Sequence, residues 1–178
     1  MSKQCNWACS AITTLMFYLV FTIINYFSIY VFHVWGVLST YSSTFIVNLT
    51  LTAITIASVF YFRDAFFTWA SLVIIGRLLD STTTYYALQF PYFYEANTLI
   101  AGLLDKPQYV FLLNMTVGMA GGIYVATVMT IHPSTRSNLK RYMVLLLKIT
   151  SLNVLFSSWQ PVISNILTIL YTFLVLRP

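Results

Sequence analysis

Arg77, Asp80, Thr83, Thr84, Glu95 and Asn97 fall in one stretch, GRLLDSTTTYYALQFPYFYEANTLIAGLLD, at 76–105. An arginine and two carboxylates flank a run of hydroxyl residues in otherwise apolar surroundings. Such a set can relay a proton, hold an ion or bind a polar head group. A charge placed at the centre of a bilayer costs about 2.5–3.5 kcal/mol on insertion scales, and charges kept there are functional by default. Arg77 and Asp80 are three residues apart, so they share a helix face and can pair. The competing structural reading is an ion pair that cancels its own cost. The site reading is favoured over it. Thr84 continues the same face, and Thr83 lies about 60° round from it. Threonine in a membrane helix often bonds the carbonyl four residues back, which is the plain explanation of the threonine run. Glu95 is either an ordinary interfacial carboxylate or a second acid in the cavity of Asp80, and both stay open.

The rest of the chain supplies the elements that must hold these residues. Of 178 residues, 59% are hydrophobic and 7% are charged. A soluble domain carries about 25% charged residues. The composition therefore predicts an all-α, polytopic transmembrane helix bundle in one integral membrane domain, 1–178, with the lipid bilayer as solvent. Five spans are expected, at about 8–32, 44–62, 65–88, 109–131 and 142–176. A six-span alternative has the chain turning near Pro161. The last stretch is long, but Ser151, Ser158, Asn165 and Thr172 recur every seven residues through Pro161. A polar stripe that keeps phase favours one helix.

With five spans, Lys3, Arg63, Arg136, Lys140 and Arg141 share one side, and Lys106 and Arg177 the other. The positive-inside rule then puts the N-terminus in the cytoplasm and the C-terminus outside. The fourth span carries Asn114, Gly118, Gly122 and Ala126 at four-residue spacing. This reads as a helix-packing groove, with Asn114 adding an interhelical hydrogen bond. The third and last spans are its natural partners, which would set Asn165 facing Asp80 or Thr84.

Several classes are disfavoured. The net charge of +5 comes from scattered residues with no Lys/Arg run, so nucleic acid is not an expected partner. Cys5 and Cys9 have no nearby histidine, and His33 and His132 are expected on opposite sides. No metal site follows, and no cofactor is expected. No phosphate loop or nucleophile–histidine set suggests an enzyme. The abundance of Tyr, Thr and Ile with few acids suits a thermophilic archaeon or one of its viruses.

The motif residues resemble an uncharacterised group of small archaeal multi-pass membrane proteins. Their pattern is D-x-x-T-T, then E-x-N-P, then a late intramembrane asparagine. Asp80, Thr83 and Thr84 match the first element, Glu95 and Asn97 the second, and Asn165 the third. Thr98 stands where the group tends to have proline. The resemblance covers about 72–170 and implies a shared polar site, with no activity to carry over.

Two functions remain. One is a non-catalytic subunit or scaffold of a membrane assembly, with other membrane subunits or self-association as its partners. The other is a homo-oligomeric ion or proton channel or transporter using Asp80 and Glu95. Small size and the missing repeat rank the subunit slightly ahead.

Overall fold

In the computed structural model, described for residues 7–35, 40–90, 93–95, 98–131 and 138–175, the described residues are helical apart from a few short turns and extended positions. Five long helices and one single turn follow in order. They are α1 (Trp7–Trp35), α2 (Thr40–Phe62), α3 (Ala65–Ala87), α4 (Thr98–Ala101), α5 (Pro107–Thr130) and α6 (Asn138–Val175). Asp64 starts α3: its carboxylate accepts the backbone N–H of Phe67 at 2.8 Å. That satisfies one of the orphan donors of the first turn. α6 is one helix with Pro161 inside it, so the chain does not turn back there.

The long helices alternate in direction, and paired contacts along α3 fix this. Ser10 meets Asp64 and Tyr18 meets Ser71, so α1 runs parallel to α3. Phe62 meets Phe67 and Asn48 meets Ser81, so α2 runs against it. A side chain at Gly122 would meet Ala70, and one at Gly118 would meet Arg77, so α5 is also antiparallel. Trp159 meets Leu72 and Asn165 meets Thr84, so α6 is parallel again.

α3 is the hub of the bundle. It packs on α1, α2, α5 and α6. The main core gathers Phe67 and Ile74 of α3 with Tyr18 of α1, Leu51 of α2, and Phe111 and Met115 of α5. Large apolar side chains face outward along α1 and α6, including Ile24, Phe27, Leu146, Phe156 and Leu170. Exposed hydroxyls on α2, α5 and α6 bond their own helix. Thr50, Ser58, Thr116, Thr168 and Thr172 each donate to the carbonyl four residues back. An outer surface built this way leaves little for water to solvate.

Among the described residues four helices are long and apolar enough to cross a membrane: the segments Trp7–Val31, Thr44–Phe62, Pro107–Thr130 and Arg141–Val175. This is compatible with an integral membrane location. α3, expected as a further span, has the length but falls short in apolarity. The physical reason is its place at the centre. Thirteen of its 23 residues are buried against other helices. A helix that faces protein can carry Arg77, Asp80 and a run of hydroxyls that a lipid-facing helix cannot.

Candidate functional site

The candidate polar residues of α3, Arg77 to Thr84, lie on its last three turns. Asp80 sits about 10 Å of helix below the Ala87 end. Asn165 of α6 reaches this region across the α3–α6 seam. Its amide nitrogen donates to Asp80 Oδ1 at 3.3 Å, Thr83 Oγ1 at 3.0 Å and Thr84 Oγ1 at 3.1 Å. Two N–H groups serve three acceptors, so one bond is shared. Thr83 passes its own proton to the Leu79 and Asp80 carbonyls, both at 3.0 Å. Thr82 bonds the Leu78 carbonyl, as the plain reading of the threonine run expects. Ser81 accepts from Asn48 Nδ2 of α2 at 2.8 Å. Four consecutive hydroxyl residues thus serve different neighbours.

A cavity of about 320 Å³ opens between α3, α5 and α6. Arg77, Asp80, Glu95, Asn114 and Asn165 line it, with Tyr85 in its wall. The two carboxylates therefore share one space. The charges of Arg77 and Glu95 both act on Asp80. The pairing of Arg77 with Asp80 that their spacing permits is not made. Among the described residues no hydrogen bond or ion pair joins them, and Arg77 Nε is a buried donor without a partner. Both residues line the cavity, and the aliphatic stem of Arg77 packs beside Gly118. Tyr85 is 0% exposed, and its hydroxyl likewise has no partner among the described residues.

A second cavity, of about 370 Å³, adjoins the first. The two have Thr84, Glu95 and Asn165 in common. Ser164, Thr168 and Thr172 of α6 line its far wall, with Leu88, Phe93 and Tyr94 opposite. It forms a hydroxyl-lined groove that leads from the outer face of α6 to Asp80. Asn97 lies outside the described residues. Among the described residues no group of three metal-ligating side chains occurs.

The packing residues of α5 divide in two. A Cβ at Gly122 would lie 2.8 Å from the Ala70 carbonyl oxygen, so only glycine permits this approach of α5 to α3. At Gly118 the nearest atom would be Arg77 Cγ at 3.5 Å, ordinary contact distance. Ala126 is fully buried against Phe66 and Ala70. Asn114 departs from expectation. It lines the cavity, and makes no hydrogen bond to another helix among the described residues. Its position one turn before Gly118 aims it at the space that Arg77 and Pro161 leave open.

Three features lie beyond the sequence reading. At Gly76 a Cβ would stand 2.9 Å from both the carbonyl and the hydroxyl oxygen of Ser158, so α3 and α6 touch backbone to backbone there. One turn away Trp159 Nε1 donates to the Leu72 carbonyl at 3.0 Å. Tyr85 is the third. Ser158 sits in the seven-residue polar stripe, which was a signal for Gly76. Nothing separates Tyr85 from Tyr86, which packs on Phe45 and Phe90 instead.

Comparison of the chain with family models, curated proteins and solved structures gives no match.

Proposed function

We propose that this is an integral membrane protein that binds a polar ligand or ion in the cavity between α3, α5 and α6, in the service of transport. One observation carries the reading: Arg77, Asp80 and Glu95 line one interior cavity, and Arg77 and Asp80 do not neutralise each other directly. Charges held apart inside a bundle cost free energy unless something completes them. The polar site implied by the resemblance to the archaeal group would be this cavity.

In this reading all five long helices cross the membrane. Arg63 and Arg141 mark the cytoplasmic side, and the turn holding Glu95 faces outward. One copy has few helices for a carrier, so the active form is a homo-oligomer. A non-catalytic subunit is the second reading. It is favoured by α6, whose 38 residues extend about 57 Å and which is the least buried of the four apolar spans.

Gentle extraction followed by native mass spectrometry, paired with tracer flux in proteoliposomes, tests both. A homo-oligomer whose flux Asp80→Asn abolishes, with assembly unchanged, is the expected result. Stoichiometric foreign subunits, with no flux from the purified chain, would replace it with the subunit reading.

A further inference from the structure

The chemistry of the ligand can be read from the charges that line the cavity, given that the cavity is the binding site proposed above. Its wall offers one guanidinium, Arg77, and two carboxylates, Asp80 and Glu95. A lone cation would be drawn to Asp80 and Glu95 but leaves Arg77 without a counter-charge. A lone anion would be drawn to Arg77 but repelled by both acids. A molecule with both charges answers both sides, because Arg77 and Asp80 then each gain an opposite partner.

Tyr85 gives a second, independent indication. Its ring is sealed in the protein at 0% exposure, it lines this cavity, and its hydroxyl is unpartnered among the described residues. A buried hydroxyl left so is costly unless something in the cavity bonds it. Arg77 Nε stands in the same condition. The volume, about 320 Å³, lies within the range of small-ligand sites.

We propose that the cavity takes a small zwitterion, with its acidic group on Arg77 and its ammonium on Asp80, while Glu95 closes the rim and Tyr85 adds a hydrogen bond. Such a group comes either as a free solute or as a lipid headgroup. The groove along Ser164, Thr168 and Thr172 gives a headgroup a lateral way in from the outer face of α6.

Calorimetric titration of the full chain, in a maltoside detergent without charged groups, tests this. The soluble probes are glycerophosphoethanolamine, ethanolamine and glycerol 3-phosphate. The zwitterion should bind at least about tenfold tighter than either probe that carries charge of one sign alone, the scale of one charge-assisted hydrogen bond. Arg77→Gln should remove that preference. Tyr85→Phe breaks no internal hydrogen bond, so it should keep the unfolding midpoint while weakening binding by roughly two- to tenfold. Dihexanoyl phosphatidylethanolamine binding more tightly than glycerophosphoethanolamine identifies a lipid source, and the reverse a free solute. Equal binding of ethanolamine and the zwitterion, unmoved by Arg77→Gln, overturns the inference and leaves a simple cation site standing. Binding of no probe by folded wild-type protein overturns the zwitterion, and flux that still depends on Asp80 would show that the site itself survives.

Discussion

Asn165 Nδ2 lies 3.0 Å from Thr83 Oγ1, which ties the last helix to the central one at the level of the cavity. The same amide reaches Asp80 and Thr84. Asn165 thus holds the carboxylate of Asp80 at the cavity wall and braces Thr83, which would otherwise bond only its own helix, together with Thr84. Asn165→Leu should lower stability by about 1 kcal/mol, because interhelical hydrogen bonds in membranes average roughly 0.6 with a maximum near 1.7. Asn165→Asp should cost more, since it sets a second carboxyl beside Asp80. Unfolding titrations of the two variants in mixed micelles check the order.

The glycines should separate cleanly. Gly76→Ala and Gly122→Ala each drive a methyl group into backbone, against Ser158 and Ala70. Neither backbone can move without parting two helices, so each should cost about 1–3 kcal/mol, the usual scale of overpacking. Gly118→Ala meets only side-chain carbons at 3.5 Å or beyond. Alanine is the better helix former by roughly 1 kcal/mol, so this variant should be neutral or slightly stabilised. A thermal shift series on the three proteins decides it. Equal losses at all three would mean that α5 does not pack on α3 in this register.

Much of this architecture is written in how polarity is spaced. The seven-residue recurrence of Ser151, Ser158, Asn165 and Thr172 keeps phase through Pro161, and α6 is accordingly one helix with Ser151 and Ser158 buried. The polarity of α3 marks it as the helix least fit for lipid, and it is the one the others surround. What stayed hidden depends on distance between elements. Three-residue spacing says that Arg77 and Asp80 can pair. It cannot say that a cavity opens beside them and draws the two apart. A glycine signals permission for a close approach without naming the partner, so Gly76 and Gly122 look alike until Ser158 and Ala70 are in place. Asn48 is fully buried and donates to Ser81, a partner on another helix that spacing along α2 does not name.

Asp64 has two roles that one substitution can part. Its Oδ1 caps α3 through the Phe67 N–H, and its Oδ2 accepts from Ser10 Oγ of α1 at 2.8 Å. Asp64→Ala should cost about 1 kcal/mol, the usual value of an N-cap. Asp64→Asn keeps an oxygen for Phe67 and offers an N–H to a hydroxyl that can also accept. It should stay within a few tenths of a kcal/mol of wild type. An equal loss in both would mean that charge, not capping geometry, is what the turn uses. Urea or thermal unfolding of the pair in detergent gives the comparison.

The crossing of α3 is open to a direct test. Arg63 just precedes α3, and Tyr94 follows it, 85% exposed beside the cavity. The 23 residues between Ala65 and Ala87 extend about 34 Å, enough for a hydrocarbon core of about 30 Å. Its neighbours α2 and α5 run against it over its length, so a bundle that crosses the membrane carries α3 across with it. With Cys5 and Cys9 replaced by serine, Tyr94→Cys and Arg63→Cys should react with a membrane-impermeant maleimide from opposite faces. In right-side-out vesicles Tyr94→Cys should label at once, and Arg63→Cys only after the vesicles are opened. Labelling of both from one face would mean that α3 dips into the bilayer and returns. The cavity would then lie off the crossing path, and the transport reading would lose its route.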